Sequence, residues 1–307
     1  MRIPERKRRQ HHVWQHYLKS WATDNQIWCL RDGNTFCTNT INVAVDRDFY
    51  KLAALNPDDL VLIKWLVIDP VNSVGKKYHQ EFLAALTAPA RFVEQYKASS
   101  TNPEELDEFL DIQRTNVLED YHAGIENSFQ PLLDDILNGD LTFYSDEKRC
   151  ITFLHFICSQ LMRTKRIKER AIEGTKKNGG KDISRIWDVI SHMFAVNIGM
   201  SLYLERTRRT LALVHNHTDI PFVTGDQPVL NLHVQGTTPP ETASLYYPVS
   251  PRLALLLTDV NETPTFTSDG LTSTQATALN MRMLEACHSQ VFAETASELL
   301  FLKQSSG

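Results

Sequence analysis

Asp146–Glu173, DEKRCITFLHFICSQLMRTKRIKERAIE, carries the clearest helical signal of the chain. Ile151, Leu154, Ile157, Cys158, Leu161 and Ile167 recur at helical spacing, and the later turns become strongly basic. That is the pattern of a helix packed along one stripe and solvated on the other. Helical periodicity continues on both sides, from about Asp58 to Met200. It is punctuated by Asp69-Pro70, Ala88-Pro89, Ser99 to Pro103, Gln130-Pro131 and Gly179-Gly180, each read as a helix break. A helical body is expected here.

The texture changes after about Asn216. Ile220–Thr224, Ser244–Val249 and Leu253–Thr258 read as strands between turns, Ser273–His288 as a helix, and Gln290–Ala293 with Leu299–Leu302 as closing strands. At the other end, Gln10–Trp21 carries Val13, Trp14, Tyr17, Leu18 and Trp21 on one helical face. Next, Ile27–Leu30 and Thr35–Thr38 flank Arg31-Asp32-Gly33-Asn34, whose Asp-Gly favours a tight hairpin in which Cys29 and Cys37 face each other. Asn42–Tyr50 reads as an extended connection. The expected fold is α+β and predominantly helical, with an N-terminal hairpin, a central helical body and a small C-terminal, mainly antiparallel sheet. A single domain with two lobes follows: residues 51–215 form the helical body, and 1–50 with 216–307 a β-containing lobe.

Composition bounds the function. The chain has 307 residues, 42% of them apolar and 22% charged, which is enough to bury a sizeable core. Its start, MRIPERKRRQHH, lacks the apolar block of a signal peptide, and Leu60–Ile68 is too short to span a bilayer. Five cysteines without a C-x-x-C pair fit free thiols in a reducing compartment. Cytoplasmic localisation without membrane partners is therefore expected. The net charge of −5 hides two basic blocks, Met1–Ser20 and Lys148–Lys181, and an almost wholly acidic Glu104–Glu147. If the basic blocks meet, they make a surface suited to phosphate; otherwise they are solvated helix faces neutralised by the acidic one.

Three constellations can carry chemistry. His11 and His12 precede His16, and His12 and His16 are four apart, yet no glutamate lies between them as a zinc protease would need. A single His12 acting as acid/base is the stronger reading. Gln160 and Arg163 are adjacent on one helix face, and an arginine at the edge of an apolar stripe needs an anion: phosphate, or internal Asp226 or Asp48. Thr224 and Asp226 end the strand Pro221-Phe222-Val223, where a side chain is held on a rigid support, although Asp-x-Pro is also good turn chemistry.

In order, His11-His12-Val13-x-Gln15-x-Tyr17-Leu18, Asp46-Arg47-Asp48-Phe49-Tyr50, Gln160-x-x-Arg163, Phe222-Val223-Thr224-Gly225-Asp226-x-Pro228-Val229 and Pro248-x-Ser250-Pro251 span nearly the whole chain. This series resembles a bacterial and fungal "domain of unknown function" family, number 4238, typified by H-Y-V-P-Q-x-Y-L near its start. Trp14 stands where that family has proline, and Gly225 where it has serine. The resemblance implies no activity, but it implies that His12, Asp48, Tyr50, Gln160, Arg163 and Asp226 belong to one site. The expectation is a nuclease-like hydrolase acting on nucleic acid, in a role such as anti-phage defence. In it His12 is the acid/base, Asp226 positions water, a metal or the histidine, and Arg163 stabilises negative charge. His11, Tyr17, Asp48, Tyr50, Gln160, Arg166 and Thr224 would contact substrate, with room for a divalent metal, magnesium or manganese. Two alternatives are a non-catalytic nucleic-acid- or protein-binding module and a hydrolase of small nucleotides.

Overall fold

The structure is a computed structural model that describes residues 4–234 and 240–305. It is α+β and mainly helical. The chain starts with strand β1 (Arg9–His11), helix α1 (Gln15–Leu18), strands β2 (Gln26–Arg31) and β3 (Asn34–Asn39), and strand β4 (Val45–Arg47). Asp32 and Gly33 turn the β2–β3 hairpin with φ of 50° and 74°, the positive values that a two-residue turn requires and that Gly supplies without strain. Register pairs Trp28 with Cys37 and Cys29 with Phe36. Cys29 and Cys37 thus lie on opposite faces, one buried and one exposed, and do not face each other. β1 pairs with β4, so the segment expected to be a plain extended connection carries a strand.

The helical body holds α2 (Pro57–Ile63), α3 (Ser73–Lys97), α4 (Pro103–Leu137), α5 (Glu147–Met162), α6 (Lys165–Lys177) and α7 (Trp187–Leu204). α3 runs through Pro89 and α4 through Pro131, where breaks were expected. An internal proline costs about 3 kcal/mol, but Phe129, Leu132, Leu133 and Ile136 beside Pro131 are all buried, each contributing roughly 1.5–3 kcal/mol. Near Pro89, Thr87 Oγ1 donates to the Leu83 carbonyl and the Arg91 guanidinium to that of Ala84. Conversely, the single helix expected over Asp146–Glu173 breaks at Arg163 (φ −82°, ψ 0°) and Thr164 (φ −85°, ψ 155°).

The remainder comprises β5 (Arg209–His215), β6 (Thr224–Gly225), β7 (Leu230–Asn231), β8 (Leu245–Ser250), β9 (Leu253–Asp259), short α8 (Phe266–Asp269), α9 (Ser273–Ala286), β10 (Gln290–Ala293) and α10 (Ala296–Ser305). Two four-stranded antiparallel sheets result, ordered β3-β2-β10-β6 and β5-β9-β8-β7. β5 begins ahead of the expected change of texture, only Thr224 of the Ile220–Thr224 run is strand, and Leu299–Leu302 is helical. Leu299 and Leu302 are three apart, which places both on the buried face of a helix, whereas a strand would split them.

One hydrophobic cluster joins the parts: Tyr17, Trp21, Phe129, Phe156 and Tyr247 come from the N-terminal segment, α4, α5 and β8. The N-terminal segment is therefore packed between helices and sheet, and this brings the paired histidines to α4 and to the end of α5. No described helix is long and apolar enough to cross a membrane.

Candidate functional site

Backbone contacts pin the paired histidines. Gln10 is wholly buried; its Nε2 donates to the Thr115 carbonyl on α4 and its Oε1 accepts the Tyr50 N–H. The Tyr50 hydroxyl donates to the His11 carbonyl at 3.2 Å, the His12 N–H to the Ala44 carbonyl, and Gln160 Nε2 to the His12 carbonyl at 3.0 Å. The His12 ring packs on Phe49, with Nδ1 3.6 Å from Asp46 Oδ2. Lys165 Nζ lies 2.6 Å from the same oxygen. Neither nitrogen of the His12 ring makes a hydrogen bond, and burial, partly opposed by Asp46, lowers its pKa to about 3. His12 is a neutral imidazole at neutral pH.

Arg163 is buried and donates to Glu126 Oε1 at 2.7 Å and Gln160 Oε1 at 2.5 Å. Its internal partner is thus Glu126, and not Asp226 or Asp48. A buried ion pair is costly to break, because removal of one partner strands the other charge. This pair holds α4 to the end of α5 and explains why the helix stops there: Arg163 turns inward and Thr164 restarts the chain as α6.

Glu119, His122 and Glu126 follow at i, i+3 and i+7 on α4, and together with His11, Trp14, His16 and Lys19 they line a pocket of about 270 Å³. His122 is 2% exposed, its ring centroid 4.5 Å from that of Tyr50 and 4.8 Å from that of His192, and neither of its ring nitrogens is hydrogen-bonded. Burial, then the Arg163 charge, keep it neutral. Burial raises the Glu119 carboxyl to about 7, with Arg163 opposing and Glu126 adding to the shift, and Glu119 makes no hydrogen bond among the described residues. Glu126 is also raised by burial, against the pull of Arg163. The pocket therefore holds one carboxyl poised to exchange a proton near neutrality and a second balanced by an arginine.

Of the residues singled out from the sequence, His11 lines this pocket; His12, Tyr50, Gln160 and Arg163 are not in its lining but are joined to it through the His11 and His12 carbonyls and the Arg163–Glu126 pair. Asp48 does not line the pocket; it pairs with Arg8 at 3.3 Å and Arg47 at 3.8 Å. Tyr17 and Thr224 form a different cluster: the Tyr17 hydroxyl is 2.6 Å from Thr224 Oγ1 and donates to the Pro248 carbonyl, and its ring stacks on Tyr247. Asp226 accepts the His288 N–H on Oδ1, and the Ser289 N–H, Gln290 N–H and Ser289 hydroxyl on Oδ2. Beside it, a Cβ at position 225 would collide with Cys287 Sγ and the Gln290 carbonyl oxygen, so this chain requires its glycine. Arg166 lines a separate cleft. Glu119, His122 and Glu126 went unremarked in the sequence, and so did Asp46 as a partner of His12.

The two basic blocks do not combine into a free positive field. Arg6 and Lys7 pair with Asp111 and Asp120 of α4, while Lys165, Lys168 and Arg149 pair with Asp46, Asp188 and Asp135. Among the described residues, no group of three His, Cys, Asp or Glu side chains is arranged to hold a metal ion.

The buried histidines set the response to acid. His12 and His192 titrate at about 3 in the fold and near 6.5 when unfolded. Below pH 6.5 the unfolded chain takes up protons that the fold refuses, so stability falls as pH drops from 6.5 toward 3, by up to about 1.4 kcal/mol per pH unit for each histidine. Urea midpoints measured between about pH 7 and pH 5 are expected to fall, and His192→Gln to reduce the slope.

A family model described as "Protein of unknown function (DUF4238)" matches residues 9–297. No curated protein and no solved structure matches.

Proposed function

The chain belongs to the DUF4238 family of proteins of unknown function, and from the geometry of the Glu119–His122–Glu126 pocket we propose that it is a hydrolase of a glycosidic or phosphoester bond in a nucleotide-sized substrate, with its reaction centre there. The observation that carries the reading is the convergence on one small pocket of two carboxyls in unlike environments and a buried, neutral, unpartnered histidine. Glu119, protonated near neutrality, gives its proton to the leaving atom. Water attacks from the Glu126 side; its oxygen bonds to carbon or phosphorus, and its proton passes to the carboxylate that Arg163 holds. Seven residues of helix separate the two α-carbons by about 10 Å, room for a bond and a water between the carboxyls. His122 offers its free ring nitrogens to a substrate hydroxyl, and His11, His16 and Lys19 supply positive or proton-donating groups for a phosphate.

The size of the pocket and the internal pairing of the basic blocks favour a mononucleotide, or one unit of a longer chain, over a bound duplex. A role in nucleic-acid cleavage would therefore act on an exposed end or an extruded nucleotide. The pH dependence of turnover tests the assignment. With Glu119 as acid, kcat is expected to fall as pH rises through about 7. A flat rate across that limb excludes Glu119 as the acid, and binding of nucleotide without turnover supports the non-catalytic module.

A further inference from the structure

A second cavity lies at the α5–α6 break, with Leu161 and Met162 of α5 and Arg166 and Ile167 of α6 in its lining. It measures about 770 Å³ and is lined by α6, the end of α7, β5, β7, β9 and α9. Arg166 and Arg170, one turn apart on α6, and Arg208, between α7 and β5, all face it. Other cations of α6 have carboxylate partners: Lys165 has Asp46, Lys168 has Asp188, Lys176 has Asp182 and Lys177 has Glu173. The side chains of Arg166, Arg170 and Arg208 have no hydrogen bond or ion pair among the described residues, and Arg166 Nε is buried without an acceptor.

Carboxylates are within the cleft but not with these arginines. Glu205 pairs with Arg209 at 3.0 Å, Asp259 Oδ1 accepts the Asn261 N–H, and Glu241 and Glu285 line the cleft without an ion pair to these arginines. Glu169, also on α6, is turned to His288 at 2.9 Å. After burial, the influence on Arg170 is the like charge of Arg166. Two arginines that repel each other at a half-buried position call for an anion between them. Between the charged groups the walls are apolar, formed by Leu161, Met162, Ile167, Ile198, Leu202 and Leu245.

We infer that this cleft is a ligand site, separate from the Glu119 pocket, for a small molecule with a phosphate or carboxylate head on an apolar body; Arg166 and Arg170 clasp the head and the Leu161–Leu245 walls take the body. Its volume is within the roughly 300–1,000 Å³ of small-molecule sites.

Calorimetric titration of the full chain with octyl phosphate, octanoate and inorganic phosphate tests the site without reference to any turnover. Both octyl probes are expected to bind more tightly than inorganic phosphate, with the better of the two heads identifying the natural one. Arg166→Gln with Arg170→Gln is expected to weaken the octyl probes about tenfold to a hundredfold without lowering Tm, since the replaced charges repel each other. Arg166→Lys, which keeps the charge and loses the fork, should weaken them less. Glu119→Gln should leave binding unchanged, so this site stands or falls independently of the hydrolytic reading. The inference is overturned if no probe saturates in the millimolar range, or if the double variant binds as the native chain does.

Discussion

Asp226→Ala is expected to destabilise the fold by roughly 3–6 kcal/mol, because three backbone N–H groups, at His288, Ser289 and Gln290, and the Ser289 hydroxyl lose their acceptor at once. A fully buried orphaned donor, as at Gln290, costs about 1–3 kcal/mol and the part-buried ones at His288 and Ser289 less, against a total stability for proteins of roughly 5–15 kcal/mol. The damage spreads, since the Asp226 N–H in turn bonds the Gln290 carbonyl, and Gln290 Oε1 accepts from Ala44 and Arg31. Loss of this carboxylate loosens β10 between β2 and β6. Asp226→Asn keeps one acceptor oxygen and should lose less. Thermal and urea unfolding check this directly. An alanine variant that melts like the native protein would free Asp226 for another role.

Glu119→Gln is expected to lower turnover by about 10²–10⁴-fold, the usual contribution of a positioned acid or base. Its effect on stability has the opposite sign. The folded carboxyl titrates at about 7, above its unfolded value near 4.5, so the fold retains a proton that the unfolded chain has lost. The stabilisation is fully present below pH 4.5 and disappears as pH rises through about 7, leaving a buried charge that the amide variant does not carry. Glu119→Gln should thus equal or exceed the native protein in stability above pH 7, by roughly 1–3 kcal/mol at most, and its Tm there should be no lower. Lost turnover with undiminished Tm separates a reacting group from a structural one. Equal turnover would remove Glu119 from the chemistry, whatever its titration.

Elements whose cause is local could be read from the sequence. The hairpin followed from Asp32-Gly33, where positive φ is a property of those two residues, and β8, β9 and α9 from runs of one period. Elements decided at a distance were not legible. α5 ends where Arg163 reaches Glu126 on α4, although the apolar stripe continues past it. α4 persists through Pro131 because of what it packs against, and α3 through Pro89 where Thr87 and Arg91 side chains bond helix carbonyls. The site shows the same division. His11, His12, Tyr50, Gln160 and Arg163 carried motifs and form one hydrogen-bonded network that reaches the pocket at His11 and Glu126, whereas Glu119 and Glu126 were submerged in an acidic run that read as solvated. One signal was available: His122 continues the apolar face of Leu118, Ile125 and Phe129, a polar ring in a buried stripe, with each glutamate one position beyond an apolar residue of that face. Thr224 and Asp226 stand at a strand end and Tyr17 on the N-terminal helix, but their hydrogen bonds close on the sheet and not on the pocket.

The most direct test of the hydrolase assignment is a time course of the purified native chain at neutral pH with a panel of nucleoside monophosphates, dinucleotides and labelled single-stranded oligonucleotides, each with magnesium, manganese or chelator, following free base, free phosphate and shortened nucleotide products separately. The assignment predicts product from a nucleotide-sized member of the panel, released base reporting glycosidic cleavage, released phosphate reporting phosphomonoester cleavage and nucleoside or shortened strand reporting phosphodiester cleavage, and no product from Glu119→Gln. A folded native chain that binds members of the panel and releases none of these products, or a Glu119→Gln variant that matches it, would contradict the assignment.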